Sequence, residues 1–571
     1  MKKENCLFFA LAILLYWIYP CAVQAQRYQP GPQDMTFFSS VDESNQPYAI
    51  YIPDHFDETR EYPLVVFLHG AFSNHRLGLR RVFGKGNIQG PDFGTPGFEV
   101  PQTDLEASRF YPELKHVDYI VAAPFARGTA GYQGIPEQDI FDMLADIKSK
   151  FSIDEDRMYL TGLSMGGGGT IWVGLTRPDL WAAIAPVCPA PPQDASNLAG
   201  NALNIPVHLF VGDRDELMAT ADQWNEKFRS NGVDVEYIIY PGIAHNSWEY
   251  AYEDGFIFDW FSQFERNNFP PEVKFTTSAF KYNKAYWVTL DNLTPGVEAT
   301  IDAQFTGTNT LDINTSNLLA FTLNLEGHPQ FDAGSKVRVT VDGTSFTVKS
   351  PDAVSFTRED GVWKNSKFTP GRFSKQPGAE GPLADALRSN HIYVFGTQGD
   401  PSREELQARS AIASHAADWA FDRGFAGRVM IFPRALADNS VRQSDLETSN
   451  LVLFGTAGTN SWIARYADRL PMQLHEDAEG YGLVYIYPMN GHYVLINSGL
   501  PWWTPPASGG EGQGGLSRLA GMGSSLNGFP DFILFRDTPD NVISEGYFSN
   551  NWEIPEAERS KLESSGVIEL R

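Results

Sequence analysis

Ser164 stands between a short apolar segment, Met158-Tyr-Leu-Thr161, and an unbroken run of four glycines, Gly166–Gly169. Few features constrain a chain more. The pentapeptide Gly162-Leu163-Ser164-Met165-Gly166 has small residues two positions to either side of the serine. A sharp strand-to-helix turn needs them there, because the turn is strained and neighbouring backbone packs closely around it. Such a turn pushes the Ser164 hydroxyl into the open at the C-terminal edge of a sheet. The pattern alone is weak; chance supplies roughly 0.3 matches in a chain this rich in glycine. Its setting strengthens it, with a strand before and a helix opening after. A phosphate-cradling loop is the ordinary alternative, but no lysine follows the glycines as that loop requires.

Around this turn, residues 28–265 alternate strand-like and helix-like segments. Tyr62-Pro-Leu-Val-Val-Phe-Leu-His69, Tyr119-Ile-Val-Ala-Ala123, Val207-His-Leu-Phe-Val211 and Val235-Glu-Tyr-Ile-Ile-Tyr240 read as buried strands, and Gln138–Lys150 carries helical spacing. The alternation predicts a parallel sheet covered on both faces. The pattern changes at Asn267-Asn-Phe-Pro-Pro271, a linker. Strand-like segments separated by turns then run to about residue 350 and predict a small β-sandwich. After a polar stretch at Ser374–Gly381, the alternation returns with His391–Phe395, a helix-like 402–422, Val429–Phe432, Leu451–Phe454 and a helix-like 460–470. The expected architecture is therefore α/β, with a catalytic domain over 26–267, a β-sandwich over 268–370, a second α/β domain over 371–555 and a tail over 556–571. The Gly-rich 508–523 stretch reads as a mobile loop.

The first 25 residues read as a leader. Lys2 and Lys3 precede an apolar run that closes on Ala22-Val-Gln-Ala25, the pattern of a secretory signal peptide cut before Gln26. A secreted or periplasmic destination follows. Cutting there removes Cys6 and Cys21, which leaves Cys188 as the one thiol and no internal disulfide. It also takes the formal charge from −26 to about −27. So acidic a chain lacks the net basic face that nucleic acid requires. No other segment is apolar for 18 or more residues, so no further membrane span is expected.

A serine hydroxyl is a poor nucleophile until a base takes its proton. After Ser164, the first part of the chain holds only His208 and His245. His208 lies inside a strand and reads as a packing residue. His245 sits on the loop Pro241-Gly-Ile-Ala-His-Asn-Ser-Trp248, after a strand end, where an imidazole can reach Ser164. A carboxylate is then needed to orient His245 and stabilise its charged form. Asp213, Asp215 and Glu216 all follow the strand that ends at Gly212; Asp215 is the first choice, and a turn or helix-cap role is the ordinary reading of Asp213. The order Ser…Asp…His is that of the α/β-hydrolase fold. Developing oxyanion charge needs preorganised donors. The Ala71 N–H, at the end of the strand 62–69, and the Met165 N–H, next to the nucleophile, fill that role. His69 reads as structural.

Leu68-His-Gly70, Gly131-Tyr-Gln-Gly-Ile-Pro-Glu-Gln-Asp139, Thr161–Gly169, Ala185-Pro-Val-Cys188 and Ala244-His-Asn-Ser-Trp248 together resemble the secreted esterases related to polyhydroxybutyrate depolymerases and feruloyl esterases. They also overlap the prolyl-oligopeptidase-like hydrolases. The resemblance covers about residues 45–265. It implies ester hydrolysis through an acyl-enzyme, with Ser164, Asp215 and His245 as triad and Ala71 and Met165 as oxyanion donors. The later segments resemble the accessory C-terminal region of large bacterial members, which implies an architecture and no chemistry. A long insertion at 72–116 departs from the family and bears on acyl specificity. Phe72, Tyr132 and Trp248 are candidates for the pocket wall, with core packing as the alternative for each.

No H-E-x-x-H, paired cysteines or EF-hand loop occurs, so neither cofactor nor metal is expected. Gly396-Thr-Gln-Gly399 and Gly455-Thr-Ala-Gly458 read as ordinary strand-to-helix turns, and His492 as structural. Tyr282, Tyr286 and Trp287 read as sandwich core first and carbohydrate-stacking residues second. The expected function is that of a secreted serine esterase acting on acyl esters of plant polysaccharides, such as feruloyl or acetyl esters, or on related polyesters. A peptidase using the same triad is the alternative.

Overall fold

The structure, a computed structural model, describes residues 28–85, 110–349, 353–419, 429–503, 526 and 528–571. The leader and the Gly-rich 508–523 stretch lie outside them, as does 86–109 of the insertion.

Eight strands build the first sheet: β1 (Gly31–Ser39), β2 (Ser44–Ile52), β3 (Tyr62–Leu68), β4 (Ile120–Pro124), β5 (Ile153–Leu163), β6 (Ala183–Val187), β7 (Val207–Gly212) and β8 (Val235–Tyr240). Their order is β1-β2-β4-β3-β5-β6-β7-β8. β1 and β2 form an antiparallel hairpin laid antiparallel against β4, and the other six strands run parallel. Strands β3, β4, β6 and β7 are buried along their whole length. They read as continuous apolar runs because helices cover both faces of a parallel sheet. Those helices include α1 (His75–Val82), α2 (Ile135–Lys150), α3 (Met165–Thr176) and α4 (Met218–Ser230). This is the α/β-hydrolase sheet, with one antiparallel hairpin on its edge.

Residues Glu272–Lys364 form two five-stranded sheets packed on a common core that includes Phe275, Trp287, Phe321 and Phe356. A seven-stranded mixed sheet follows. Its parallel half is Arg434–Ala437, His391–Phe395, Asn450–Phe454 and His492–Gly499 in spatial order, and its antiparallel half is Tyr481–Met489, Phe532–Arg536 and Thr538–Gly546.

Three expectations differ from the structure. Residues 556–571 are not a tail: Glu556–Ser564 is a helix, and Ile568–Leu570 pairs with Met472–Leu474. Val429–Phe432 is not a strand of the third sheet. Val429 bridges Gly128 of the first unit and the Met430 N–H donates to the Arg127 carbonyl, so the start of this run docks on the first unit, with Val429 buried and Phe432 exposed. The polar stretch 374–381 is exposed at 376–378 but buried at both ends, where Lys375 pairs with Asp531 and Glu380 is 5% exposed.

The three units are knitted together by buried polar contacts. Arg127, wholly buried, pairs with Asp42 at 2.5 Å and Asp139 at 2.6 Å, and donates to the Met430 carbonyl. Tyr286 donates to the Pro178 carbonyl, and Tyr282 to the Glu137 carboxylate at 2.6 Å. The sandwich tyrosines are thus anchors onto the first unit, while Trp287 packs in the sandwich core.

Candidate active site

Ser164 occupies the one-residue turn between β5 and α3, with φ 55° and ψ −117°. A non-glycine residue in that region is strained, and the strain persists only where the surroundings enforce it. The enforcement is steric. A Cβ added at Gly166 would sit 2.0 Å from the Leu68 carbonyl oxygen, and one at Gly162 2.6 Å from the same atom. Only glycine lets β3 and the start of α3 approach this closely. The Ser164 N–H donates to the Val187 carbonyl at 2.9 Å, tying the turn to β6.

The loops after β7 and β8 deliver two more side chains. Arg214 N–H donates to the Ile243 carbonyl, and Asp213 N–H to the Tyr240 carbonyl, so the two loops are laced together. His245 Nε2 lies 2.9 Å from Ser164 Oγ, and His245 Nδ1 lies 3.0 and 2.9 Å from the two Asp215 oxygens. Asp215 also accepts from the Leu217 N–H. Asp213 points elsewhere, accepting from the Gly242 N–H at 2.7 Å, which is a turn-holding role. The structure therefore brings Ser164, His245 and Asp215 into one hydrogen-bonded line and leaves Asp213 outside it.

Met165 follows Ser164 directly, and Ala71 follows Gly70, which packs against the serine. Gly70 is packed so tightly that a Cβ there would lie 3.5 Å from Ser164 Cβ. The Phe72 N–H is engaged with Thr129 Oγ1 at 3.0 Å, whereas the Ala71 and Met165 N–H groups have no protein acceptor among the described residues. Met165 opens α3, so its N–H is one of the four that every helix leaves unpaired. Two such donors beside a serine can receive an oxyanion.

The supporting shell holds what the sequence did not reveal. His69 is wholly buried, with Nδ1 2.8 Å from the Gly70 carbonyl and Nε2 2.9 Å from the Phe125 carbonyl. Burial pushes its pKa below the ordinary value, while the two carbonyls oppose this. Tyr132 donates to the His69 carbonyl at 2.9 Å and packs under Gly169. It is 4% exposed, a strut beneath the site and not a pocket wall. Trp248 is also buried, edge-on to His245 with ring centres 5.4 Å apart, so it braces the imidazole. Phe72 is partly exposed, with φ 62°.

Cys188 lies behind the carboxylate. Its sulfur, an Asp215 oxygen and a His245 nitrogen all fall within 4.8 Å of one another. Burial, then the Asp215 charge, pushes the thiol's pKa up, so it stays protonated. His208 is buried against Phe210 and Trp260, and its pKa falls to about 4 through burial.

The fold is that of the α/β-hydrolases, and the chain is a hydrolytic enzyme. Residues 125–253, which run from the end of β4 past His245, match the model of the dienelactone hydrolase family. Among solved structures, a thermostable esterase is similar at 23% identity, over 41% of this chain and 63% of that one, with a TM-score of 0.33. A ferulic acid esterase from Anaeromyces mucronatus is similar at 19% identity, over 42% and 96%, with a TM-score of 0.30. A putative dipeptidyl aminopeptidase IV from Bacteroides ovatus is similar at 18% identity, over 42% and 36%, with a TM-score of 0.31.

Proposed function

We propose that this chain is a serine esterase that cleaves carboxylic esters through an acyl-enzyme, and that it acts outside the cytoplasm. The observation that carries the reading is the unbroken line Ser164 Oγ–His245 Nε2, His245 Nδ1–Asp215, together with the Ala71 and Met165 N–H groups, which have no protein acceptor among the described residues.

His245 Nε2 takes the Ser164 proton as Oγ attacks the ester carbonyl carbon. The carbonyl oxygen gains the negative charge and is held by the Ala71 and Met165 N–H groups. Asp215 holds the imidazole in the tautomer with its proton on Nδ1 and stabilises the imidazolium. The imidazolium then gives its proton to the departing alkoxide, leaving Ser164 acylated. Water, deprotonated by His245, attacks the acyl carbon; the acid departs and Ser164 recovers its proton.

The substrate class is an ester on a plant polysaccharide, feruloyl or acetyl, or a related polyester. The motifs shared with feruloyl esterases and polyhydroxybutyrate depolymerases support it. The leader-like residues 1–25 support export.

Full-length protein assayed on p-nitrophenyl acetate should turn over, and Ser164→Ala should not. Persistent activity in the alanine variant would sink the nucleophile assignment. A panel of acetyl, feruloyl and hydroxyalkanoate esters beside chromogenic peptides separates the esterase from the peptidase, since both reactions use the same triad; faster turnover of the peptides would overturn the esterase reading.

A further inference from the structure

The three units meet around a cavity of about 250 Å³ that none of them closes alone. Glu137 and Arg177 reach it from the first unit, Lys281 from the sandwich, and Glu380, Asp385 and Arg388 from the third unit. The acids are well provided with donors. Glu137 accepts from Arg177 at 2.8 Å, from the Trp172 indole at 3.1 Å and from the Tyr282 hydroxyl. Asp385 accepts from the Tyr493 hydroxyl at 2.6 Å, and Glu380 from the Lys281 backbone N–H.

The cations are not so served. Among the described residues, the Lys281 ammonium comes no closer than 3.8 Å to Glu137, and the Arg388 guanidinium no closer than 3.6 Å to Asp385. Neither donates a hydrogen bond, although less than a quarter of either side chain is exposed. Their head groups lie open to the cavity and are not sealed from water. Water can supply the acceptors but not the charge.

The charge count points the same way. Arg177, Lys281 and Arg388 face the carboxylates of Glu137 and Asp385. Burial, then the neighbouring Asp385 charge, raises the Glu380 pKa to about 8, so near neutrality it stands protonated. Burial lowers the Lys281 pKa and the Glu137 charge opposes this; with Lys281 charged, one positive charge is left over. A dianion would overshoot it, and a spherical anion cannot use the planar fork of a guanidinium, whereas a carboxylate does so with two parallel bonds. The volume, below that of pockets for drug-sized ligands, admits a small organic acid.

We propose that this junction cavity binds a small monocarboxylate, held by Lys281 and Arg388 at the meeting point of the three units. The site is distinct from Ser164 and needs no hydrolysis. Because its walls come from all three units, the ligand binds only when they are docked, and so favours the assembled arrangement. This gives the two accessory units a shared task.

The test uses full-length protein and propionate, detected by saturation-transfer NMR and titrated at constant ionic strength. Wild type and Ser164→Ala should both give a saturable signal, sulfate should fail to compete, and the signal should vanish in Lys281→Met and Arg388→Met. Absence of signal in wild type, or a signal unchanged in both variants, overturns the proposal; so does its loss in Ser164→Ala, which would place the ligand at the serine. Should a methionine variant fail to fold, Lys281→Arg and Arg388→Lys keep the charge while altering the donor geometry. A several-fold weaker affinity in these supports the site, and unchanged affinity in both counts against it.

Discussion

The His69 Nδ1 atom lies 2.8 Å from the carbonyl oxygen of Gly70, and that carbonyl shares a planar peptide with the Ala71 N–H. In a trans peptide the two groups point in opposite directions, so an imidazole that grips one end aims the other. On the proposed mechanism, and in the tautomer with its proton on Nδ1, His69 is a positioning residue for the Ala71 donor. Replacing it by Phe keeps a ring but removes the grip. We expect kcat on a p-nitrophenyl ester to fall roughly 10- to 100-fold, less than the loss of a whole donor, with KM within a few-fold of wild type. His69→Asn, whose amide can stand near the Nδ1 position, should recover part of kcat. An equal loss in both variants would reduce His69 to packing.

Asp213 and Asp215 lie two residues apart and do different work. Asp215 meets His245 Nδ1, whereas Asp213 holds the Gly242 N–H. Asp215→Asn keeps the shape but favours the wrong imidazole tautomer, so kcat should drop by about 10²–10⁴. Asp213→Asn retains an acceptor oxygen for the turn and should stay within a few-fold of wild type. Steady-state kinetics on one ester decide it, and comparable losses in the two variants would contradict the assignment.

Glu137 tests how the units are held together. Burial alone would raise its pKa; Lys281 and Arg177, with hydrogen bonds from Tyr282 and Trp172, hold it down to about 2. Tyr282→Phe removes one of those bonds and leaves a buried carboxylate short of a donor. The cost should be about 1–3 kcal/mol. It should appear as a lower urea midpoint, with esterase activity intact under native conditions. A midpoint equal to wild type would mean that water replaces the hydroxyl without loss.

The hydrolase core was legible because buried parallel strands are uniform apolar runs and because the elbow's glycines are dictated by contacts under 3 Å. The line from Ser164 to His245 and Asp215 was legible for a related reason: strand ends fix where the following loops stand. The hairpin β1–β2 and strand β6 were not picked out, since short segments such as Ala183-Ile-Ala-Pro-Val187 carry no period of their own. The contacts between units were misread in a consistent way. Val429 and Met430 dock on Gly128 and Arg127, and periodicity cannot tell that from a strand. The stretch around Lys375 and Glu380 is polar yet buried, because each charge meets a partner distant in sequence. Tyr132 and Trp248 have the composition of a pocket wall, but only coordinates reveal that they brace the site from beneath.

Glu380 makes stability depend on pH in a direction opposite to that of a salt-bridged carboxylate. Its folded pKa of about 8 lies above the unfolded value near 4.3, because burial and then the charge of Asp385 outweigh Lys281 and Arg388. Glu137, Arg177 and the Tyr493 hydroxyl complete the groups around it. The folded chain thus binds one more proton than the unfolded chain between those two pH values, and its stability falls as pH rises across that window. The contribution is full below about pH 4 and gone above about pH 8. At its steepest the slope is about 1.4 kcal/mol per pH unit. Glu380→Gln keeps the shape and hydrogen-bonding capacity of the protonated acid but cannot ionise. Urea midpoints of wild type and Glu380→Gln measured at pH 5, 6.5 and 8 should therefore diverge, with the variant gaining on wild type as pH rises. Curves that stay parallel across this range would show that Glu380 is ionised throughout, and that Lys281 and Arg388 hold it so.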